Sequence, residues 1–177
     1  VEPYHPHDLN PQTTSYSSDA QILTGLYEGL FTYDPVTLNP KYALAVEYHL
    51  SRDKKRWTFK INDKAFFSNG EKITAASVRN SWLQLLATPQ APYASLLDVI
   101  EGAAEYRIGK ANAEEVGIYA NSEDSLSIHL VKPANYLPKL LCHSSFSVIH
   151  SDPNVFSGAF YLDDMDDLTY VMKKNPY

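Results

Sequence analysis

Between Glu47 and Trp82 the chain changes its hydrophobic period, and that change limits what it can fold into. A short apolar–polar alternation around Tyr48 and Leu50 leads through the charged turn Arg52–Lys55 into a second alternation. There Trp57, Phe59 and Ile61 fall on one side, with Thr58 and Lys60 on the other. Residues two apart share one face of a strand, so this pattern predicts an antiparallel hairpin with one buried face. Ser68-Asn69-Gly70 reads as a tight turn, because Asn and Gly tolerate positive φ at little cost. Thr74 then offers a side-chain oxygen to cap a helix in which Val78, Trp82 and Leu85 or Leu86 recur at helical spacing. Hairpin, turn and capped helix in direct succession predict a mixed α+β chain of the α/β kind.

The flanks carry weaker signals of the same type. Val1 to Pro11 is proline-rich and reads as extended chain. His5 and His7 would share one side of it, but with no third ligand nearby they read as a surface pair rather than a metal site. Asp19 is expected to cap a helix over Ala20–Leu30, with Ile22, Leu23, Leu26, Tyr27 and Leu30 as its apolar stripe. Glu28, in the same run but not part of that stripe, has no companion acid and reads as structural. Phe31-Thr32-Tyr33 reads as a strand ended by Asp34-Pro35. Thr88–Ser95 is a proline-punctuated loop, and Asp98–Arg107 reads as helical with a stop at Gly109-Lys110. Val116–Ala120 and Leu126–Leu130 form a second predicted hairpin, with His129 out of phase and solvated. Pro133–Leu141 opens and forms a short helix, and Leu168–Met172 is a final strand. Asp163-Asp164-Met165-Asp166-Asp167 lacks the Gly and terminal Glu of a calcium loop and reads as a solvated turn.

Composition excludes more than it selects. A hydrophobic fraction of 44% with 20% charged residues fits an ordinary globular protein. No run of apolar residues is long enough for a transmembrane helix. No signal peptide opens the chain, and Val1-Glu2-Pro3 reads as a mature or trimmed start. A net charge of −6 without a basic stripe argues against nucleic acid. The single Cys142 rules out an internal disulfide. Thirteen tyrosines, seven phenylalanines and two tryptophans suit either an aromatic-lined cleft or an aromatic core. Catalytic motifs are missing: no G-x-S-x-G elbow, H-E-x-x-H, glycine-rich phosphate loop or C-x-x-C is present. Cys142 and His143 are sequence neighbours whose side chains should point apart, so no nucleophile–base pair is expected there. Neither an enzyme nor a cofactor is expected.

The central stretch resembles the solute-binding proteins of bacterial ABC peptide importers, the oligopeptide- and dipeptide-binding group. Leu44-Ala45, Trp57-Thr58-Phe59, Phe67-Ser68, Gly70, Thr74-Ala75, Val78 and Ser81-Trp82 fall into the signature of that group at its spacing. Three residues depart from it: Tyr48 stands where Trp is common, Asn69 where Asp is common, and Ser77 where the helix usually carries Asp. An Asp there favours the helix N-terminus through the dipole, so Ser77 should weaken that start slightly. The similarity extends in order along the chain. It takes in Leu9-Asn10-Pro11-Gln12, Glu28-Gly29-Leu30, Pro92-Tyr93-Ala94-Ser95, Gly102-Ala103 with Glu105-Tyr106, a strand over Phe156–Leu162, and Asn175-Pro176.

What the resemblance implies is specific. Members of this group are two-lobed periplasmic-binding-protein-like folds of type II that close around a peptide. By that analogy residues 1–40 begin the first lobe, 41–147 form an inserted, hairpin-rich subdomain and 148–177 return to the first lobe. The chain is then an N-terminal fragment without the second lobe. The tyrosine of the group's Pro-Tyr-Ala-Ser step lies at the cleft, which makes Tyr93 the first expected ligand residue. Taken without the resemblance, Tyr93 reads as a loop ring packed on the core. The segment after the Leu9–Gln12 motif crosses the cleft, which adds Ser15, Tyr16 and Ser17. Some members carry an acid where Ser15 stands, facing the peptide amino terminus; Ser15 cannot make that salt bridge. The implied ligand is an extended peptide held through its backbone, and the implied partner is the membrane permease of an ABC importer. The receptor itself is expected as a monomer, periplasmic or extracytoplasmic, with a lipid anchor as one arrangement of the full-length protein. Relatives with the same fold bind nickel complexes, haem or oligosaccharides, and a sensor or interaction module is a further alternative.

Overall fold

Alternation in the central stretch becomes a sheet, and the helical spacing after it becomes the helix that covers that sheet. The computed structural model describes residues 9–15, 17–165 and 169–177. Helix α1 (Ser17–Leu26) leads to a small antiparallel hairpin of β1 (Phe31–Tyr33) and β2 (Pro40–Tyr42). Next come β3 (Ala45–Leu50), β4 (Arg56–Ile61) and helix α2 (Ala75–Ala87). A 3-10 helix over Ala94–Val99 and the short α3 (Ala103–Arg107) precede β5 (Ile118–Ala120) and β6 (Ser125–His129). The short α4 (Leu137–Leu140) and a 3-10 turn at Ser144–Phe146 follow. The antiparallel pair β7 (Phe160–Met165) and β8 (Tyr170–Lys174) ends the described chain. Among the described residues no helix is long and apolar enough to cross a membrane.

Strands β3 to β6 form one four-stranded antiparallel sheet in the order β3-β4-β6-β5. Trp57 lies opposite both Leu50 and Ile128, and Phe59 opposite both Tyr48 and Leu126, so the apolar residues of neighbouring strands share a face. Val78, Trp82, Leu85 and Leu86 of α2 belong with Trp57, Phe59, Ile61, Leu126 and Ile128 to one buried core. Each such side chain fully withdrawn from water contributes roughly 1.5–3 kcal/mol. The opposite face is polar: Thr58 and Ser127 hydroxyls lie 3.2 Å apart, and Asn121 Nδ2 donates to Ser127 Oγ at 2.7 Å. A second, smaller core holds Leu23, Leu26, Tyr27 and Phe156, with Ile149, Tyr161 and Leu162 against it.

The turn and the cap follow the sequence. Gly70 has φ +87°, and its N–H reaches the Phe67 carbonyl at 2.9 Å. Thr74 is the N-cap of α2, its Oγ1 accepting from the Ser77 N–H at 3.3 Å. Ser77 does more than the sequence suggests: its Oγ accepts from the Thr74 N–H at 3.1 Å, closing a reciprocal capping box. The helix start expected to be weakened is therefore doubly held.

Several boundaries differ from expectation for identifiable reasons. Helix α1 starts at Ser17, so Asp19 sits inside its first turn; it is buried and accepts from Thr14 Oγ1 at 2.8 Å instead of capping. The helix also stops at Leu26, because the Leu26 carbonyl is taken by the Gly158 N–H and that of Glu28 by the Val148 N–H. Asp98–Arg107 is not one helix: Ile100 bridges to Leu130, and Gly102 at φ +71° separates the two helical pieces. The last hairpin is shifted, with its strands beginning at Phe160 and Tyr170. Asp163 is not in a turn but on β7, ion-paired to Lys173 at 2.8 Å. His129 is half-buried rather than solvated, its ring 4.9 Å from that of Tyr119. His5, His7, Asp166, Asp167 and Leu168 lie outside the described residues.

Candidate functional site

Helix α2 carries the candidate site on two adjacent residues. The Ser81 carbonyl accepts from Gln12 Nε2 at 2.7 Å, in a contact that leaves Gln12 only 1% exposed. Ser81 Oγ meanwhile accepts from the Ile149 N–H at 2.9 Å. The next residue, Trp82, is fully buried and its Nε1–H donates to the Phe146 carbonyl at 2.9 Å. A buried indole N–H needs such a partner, and here the partner is the turn that follows His143. One helix thus fixes the loop ending at Ser15 and the turn beginning at His143, although they are far apart in sequence.

Local bonds finish the positioning. Asn10 turns the entering loop, its carbonyl accepting from the Thr13 and Thr14 N–H groups at 3.3 and 3.2 Å. Thr14 is then stapled to Asp19 at the start of α1, which holds Ser15 between the two. Pro92, whose ring fixes its own φ, delivers Tyr93 to the start of the Ala94–Val99 helix. His143 caps the 3-10 turn at Ser144–Phe146 by accepting from the Ser145 N–H through Nδ1 at 3.2 Å.

These segments enclose an open cavity of about 260 Å³. Ser15, Tyr93, His143 and Ser144 supply polar atoms to its lining, over an apolar floor of Ala20 and Leu23. The Tyr93 and His143 rings lie 4.3 Å apart at 50°. Burial holds the His143 pKa below its ordinary value, which keeps the imidazole neutral. Among the described residues the lining therefore has hydroxyls and an imidazole but no carboxylate, ammonium or guanidinium. Such a surface can hydrogen-bond a neutral polar chain.

Of the residues expected at a ligand site, Tyr93 and Ser15 line this one cavity. Tyr16 lies outside the described residues, and Ser17 is placed only as the first residue of α1. Cys142 and His143 do not face one another as nucleophile and base. The Cys142 thiol donates to the Pro138 carbonyl at 3.2 Å, and burial pushes its pKa up to about 11. Glu28 lies elsewhere, half-buried beside a separate cavity of about 240 Å³ that Lys64 and Lys174 also line. Burial pushes its carboxyl pKa up, and Lys41 offsets this only in part. Among the described residues no cluster of three metal-ligating side chains occurs. Sequence reasoning missed His143, Ser144 and the supports Gln12 and Ser81. The one available hint was that a buried Trp82 must find an acceptor somewhere.

Comparison with known proteins now has a geometry to refer to. The family description "Bacterial extracellular solute-binding proteins, family 5 Middle" matches residues 39–177. The periplasmic oligopeptide-binding protein OppA of Salmonella typhimurium is 32% identical over 145 residues, covering 80% of this chain and 26% of that protein. A solved periplasmic oligopeptide-binding protein of Borrelia burgdorferi superposes with a TM-score of 0.88 at 29% identity, over 95% of this chain and 37% of that one. Haemophilus influenzae OppA, solved in complex with RPPGFSPFR, gives a TM-score of 0.88 at 26% identity, over 95% of this chain and 36% of that one. The chain thus spans only about a third of the length of its solved relatives, and its mixed α and β architecture is part of their periplasmic-binding-protein-like fold. These relatives are binding proteins rather than enzymes by description. On the family match and the shared fold together, the chain belongs to the bacterial extracellular solute-binding proteins, family 5.

Proposed function

We propose that this chain supplies one wall of a peptide-binding cleft in the substrate receptor of an ABC importer. The observation that carries the reading is the cavity shared by Ser15, Tyr93, His143 and Ser144, open and lined by uncharged polar groups, within the fold of proteins described as binding oligopeptides. An extended peptide presents alternating N–H and C=O groups, and such a wall can meet them whatever the side chains are. Tyr93 and Ser15 are the residues proposed to touch ligand, with Tyr16 and Ser17 next to Ser15 in sequence. The protein then acts outside the cytoplasm, as a monomer, free or lipid-anchored, and hands its peptide to a membrane permease through a shift between open and closed forms. The two apolar cores support a division into a first-lobe piece at 1–40, an inserted subdomain at 41–147 and a return at 148–177. The smaller core draws on the outer pieces, and most of the larger one on the middle. Calorimetric titration of the full-length parent protein with tri- to pentapeptides tests the reading. Heat of binding with short peptides is expected. Heat only with a nickel chelate, haem or an oligosaccharide would replace the peptide with that ligand.

A further inference from the structure

In a chain whose net charge is −6, the turn between β3 and β4 gathers Arg52, Lys54, Lys55 and Arg56. Its shape is fixed by hydrogen bonds. Asp53 Oδ1 accepts from Ser51 Oγ and from the Lys55 N–H, the second at 3.1 Å, and Ser51 Oγ accepts from the Arg56 N–H at 2.9 Å. The Lys55 carbonyl accepts from the Leu130 N–H at 2.8 Å, and the His129 carbonyl from the Glu101 N–H at 2.9 Å. The turn, the end of β6 and the segment at Glu101 are thus one backbone-bonded frame. It borders an open cavity of about 400 Å³. Three cations line that cavity, Arg52, Lys55 and Arg56, together with Asp53, Glu101 and His129. His129 lies opposite Arg56 across the strands, and the Tyr119 ring at 4.9 Å steadies its imidazole.

These cations differ from the paired bases elsewhere in the fold. Lys72, Arg107 and Lys173 are ion-paired to Glu123, Asp98 and Asp163 at 2.8, 2.6 and 2.8 Å. Among the described residues no carboxylate is ion-paired to Arg52, Lys55 or Arg56. Asp53 is turned to the bonds that shape the turn, and three cations against two acids leave one positive charge in excess. Like charges held in one concave frame repel one another and focus a field that draws in an anion.

We propose that this cavity is a site for a phosphate group, gripped by the Arg52 and Arg56 guanidinium forks with Lys55 as a point charge and His129 as an N–H donor. Each planar fork matches two oxygens, and a tetrahedral phosphate has enough oxygens for both forks where a single carboxylate has enough for one. Glu101 opposes the anion and limits its affinity. The site shares no residue with the cavity of Ser15, Tyr93 and His143, so it goes beyond the peptide reading without resting on it.

Titration of the full-length protein with sodium phosphate, against sodium chloride at equal ionic strength, tests the site through the amide NMR shifts of Lys55, Arg56 and His129. Saturable shifts with phosphate alone are expected. Arg52→Gln and Arg56→Gln should each weaken binding about three- to tenfold, as the loss of a charge-assisted contact at an exposed position would. Lys54→Gln removes a lysine of the same turn that does not line the cavity, and should stay within about twofold of the parent. Glu101→Gln should tighten binding about two- to threefold. Peptide affinity and melting temperature should be unchanged in all four variants. Cosedimentation with phosphatidylcholine vesicles, with and without phosphatidic acid, identifies the source of the phosphate. Binding that requires phosphatidic acid and is lost in the Arg52→Gln/Arg56→Gln double variant makes a lipid headgroup the ligand. Phosphate-dependent shifts without vesicle binding make it a soluble phosphate. Equal responses to phosphate and chloride, or a loss with Lys54→Gln as large as with Arg52→Gln, would reduce the cluster to a solvated turn and overturn the inference.

Discussion

At the scale of single residues, Trp82 and Glu28 show opposite kinds of burial. Trp82 is fully buried with its one polar atom satisfied, and that bond fixes the turn next to His143. Trp82→Phe keeps a ring but leaves the Phe146 carbonyl without its donor. It should cost about 1–3 kcal/mol in denaturant unfolding and weaken ligand binding as well, because the His143 wall loosens. Glu28 is the contrary case, a half-buried carboxylate whose folded pKa is raised above 4.5 by burial. The folded state then holds the proton more tightly than the unfolded chain. Its favourable contribution is present below 4.5 and is lost as pH rises through the folded value. Glu28→Gln should therefore stabilise the protein at pH 7 and change little below pH 4.5, as read from unfolding midpoints at the two pH values. Gly158 is constrained differently: a Cβ there would overlap the Gly25 carbonyl oxygen, so Gly158→Ala should destabilise by about 1–3 kcal/mol in the same assay.

Among the elements, α2 was readable from sequence because its cap, its spacing and the turn before it agree, and no tertiary contact opposes them. Its Thr74–Ser77 box also makes a quantitative expectation. Thr74→Ala should lower stability by about 1 kcal/mol, the ordinary worth of an N-cap, measured by chemical denaturation. The hairpin β5–β6 and strand β4 were readable for the same reason, whereas β3 leaves Tyr48 exposed and shifts register between Ala45 and Glu47, so its alternation was read only in part. Helix α1 was not, because its end is set from outside. The apolar stripe continues at helical spacing to Leu30, yet Gly158 and Val148 take the carbonyls that further turns would use. Likewise nothing in Asp98–Arg107 announces that Gly102 must adopt positive φ where it packs against the Glu115 carbonyl. Pairing between distant segments, rather than local propensity, decided both.

For the whole molecule, the site depends on segments that meet only in three dimensions. The resemblance pointed to Tyr93 and to the loop at Ser15, and these line one cavity. His143 was legible only as the neighbour of Cys142, a pairing that leads toward catalysis and away from ligand binding. Its place on the wall is fixed by Trp82 through the Phe146 carbonyl, a link that spacing along the chain does not encode. The central claim is that the cavity shared by Ser15, Tyr93 and His143, whose flanking segments α2 ties down through Gln12 and Phe146, is where ligand is bound, with Tyr93 contributing its hydroxyl. The most direct measurement is the affinity of Tyr93→Phe for a short peptide, compared with the parent by calorimetry alongside thermal unfolding. A loss of about three- to tenfold in affinity at an unchanged melting temperature is expected, because only the hydroxyl is removed. Parent-like affinity would contradict the claim and return Tyr93 to the role of a packed loop ring.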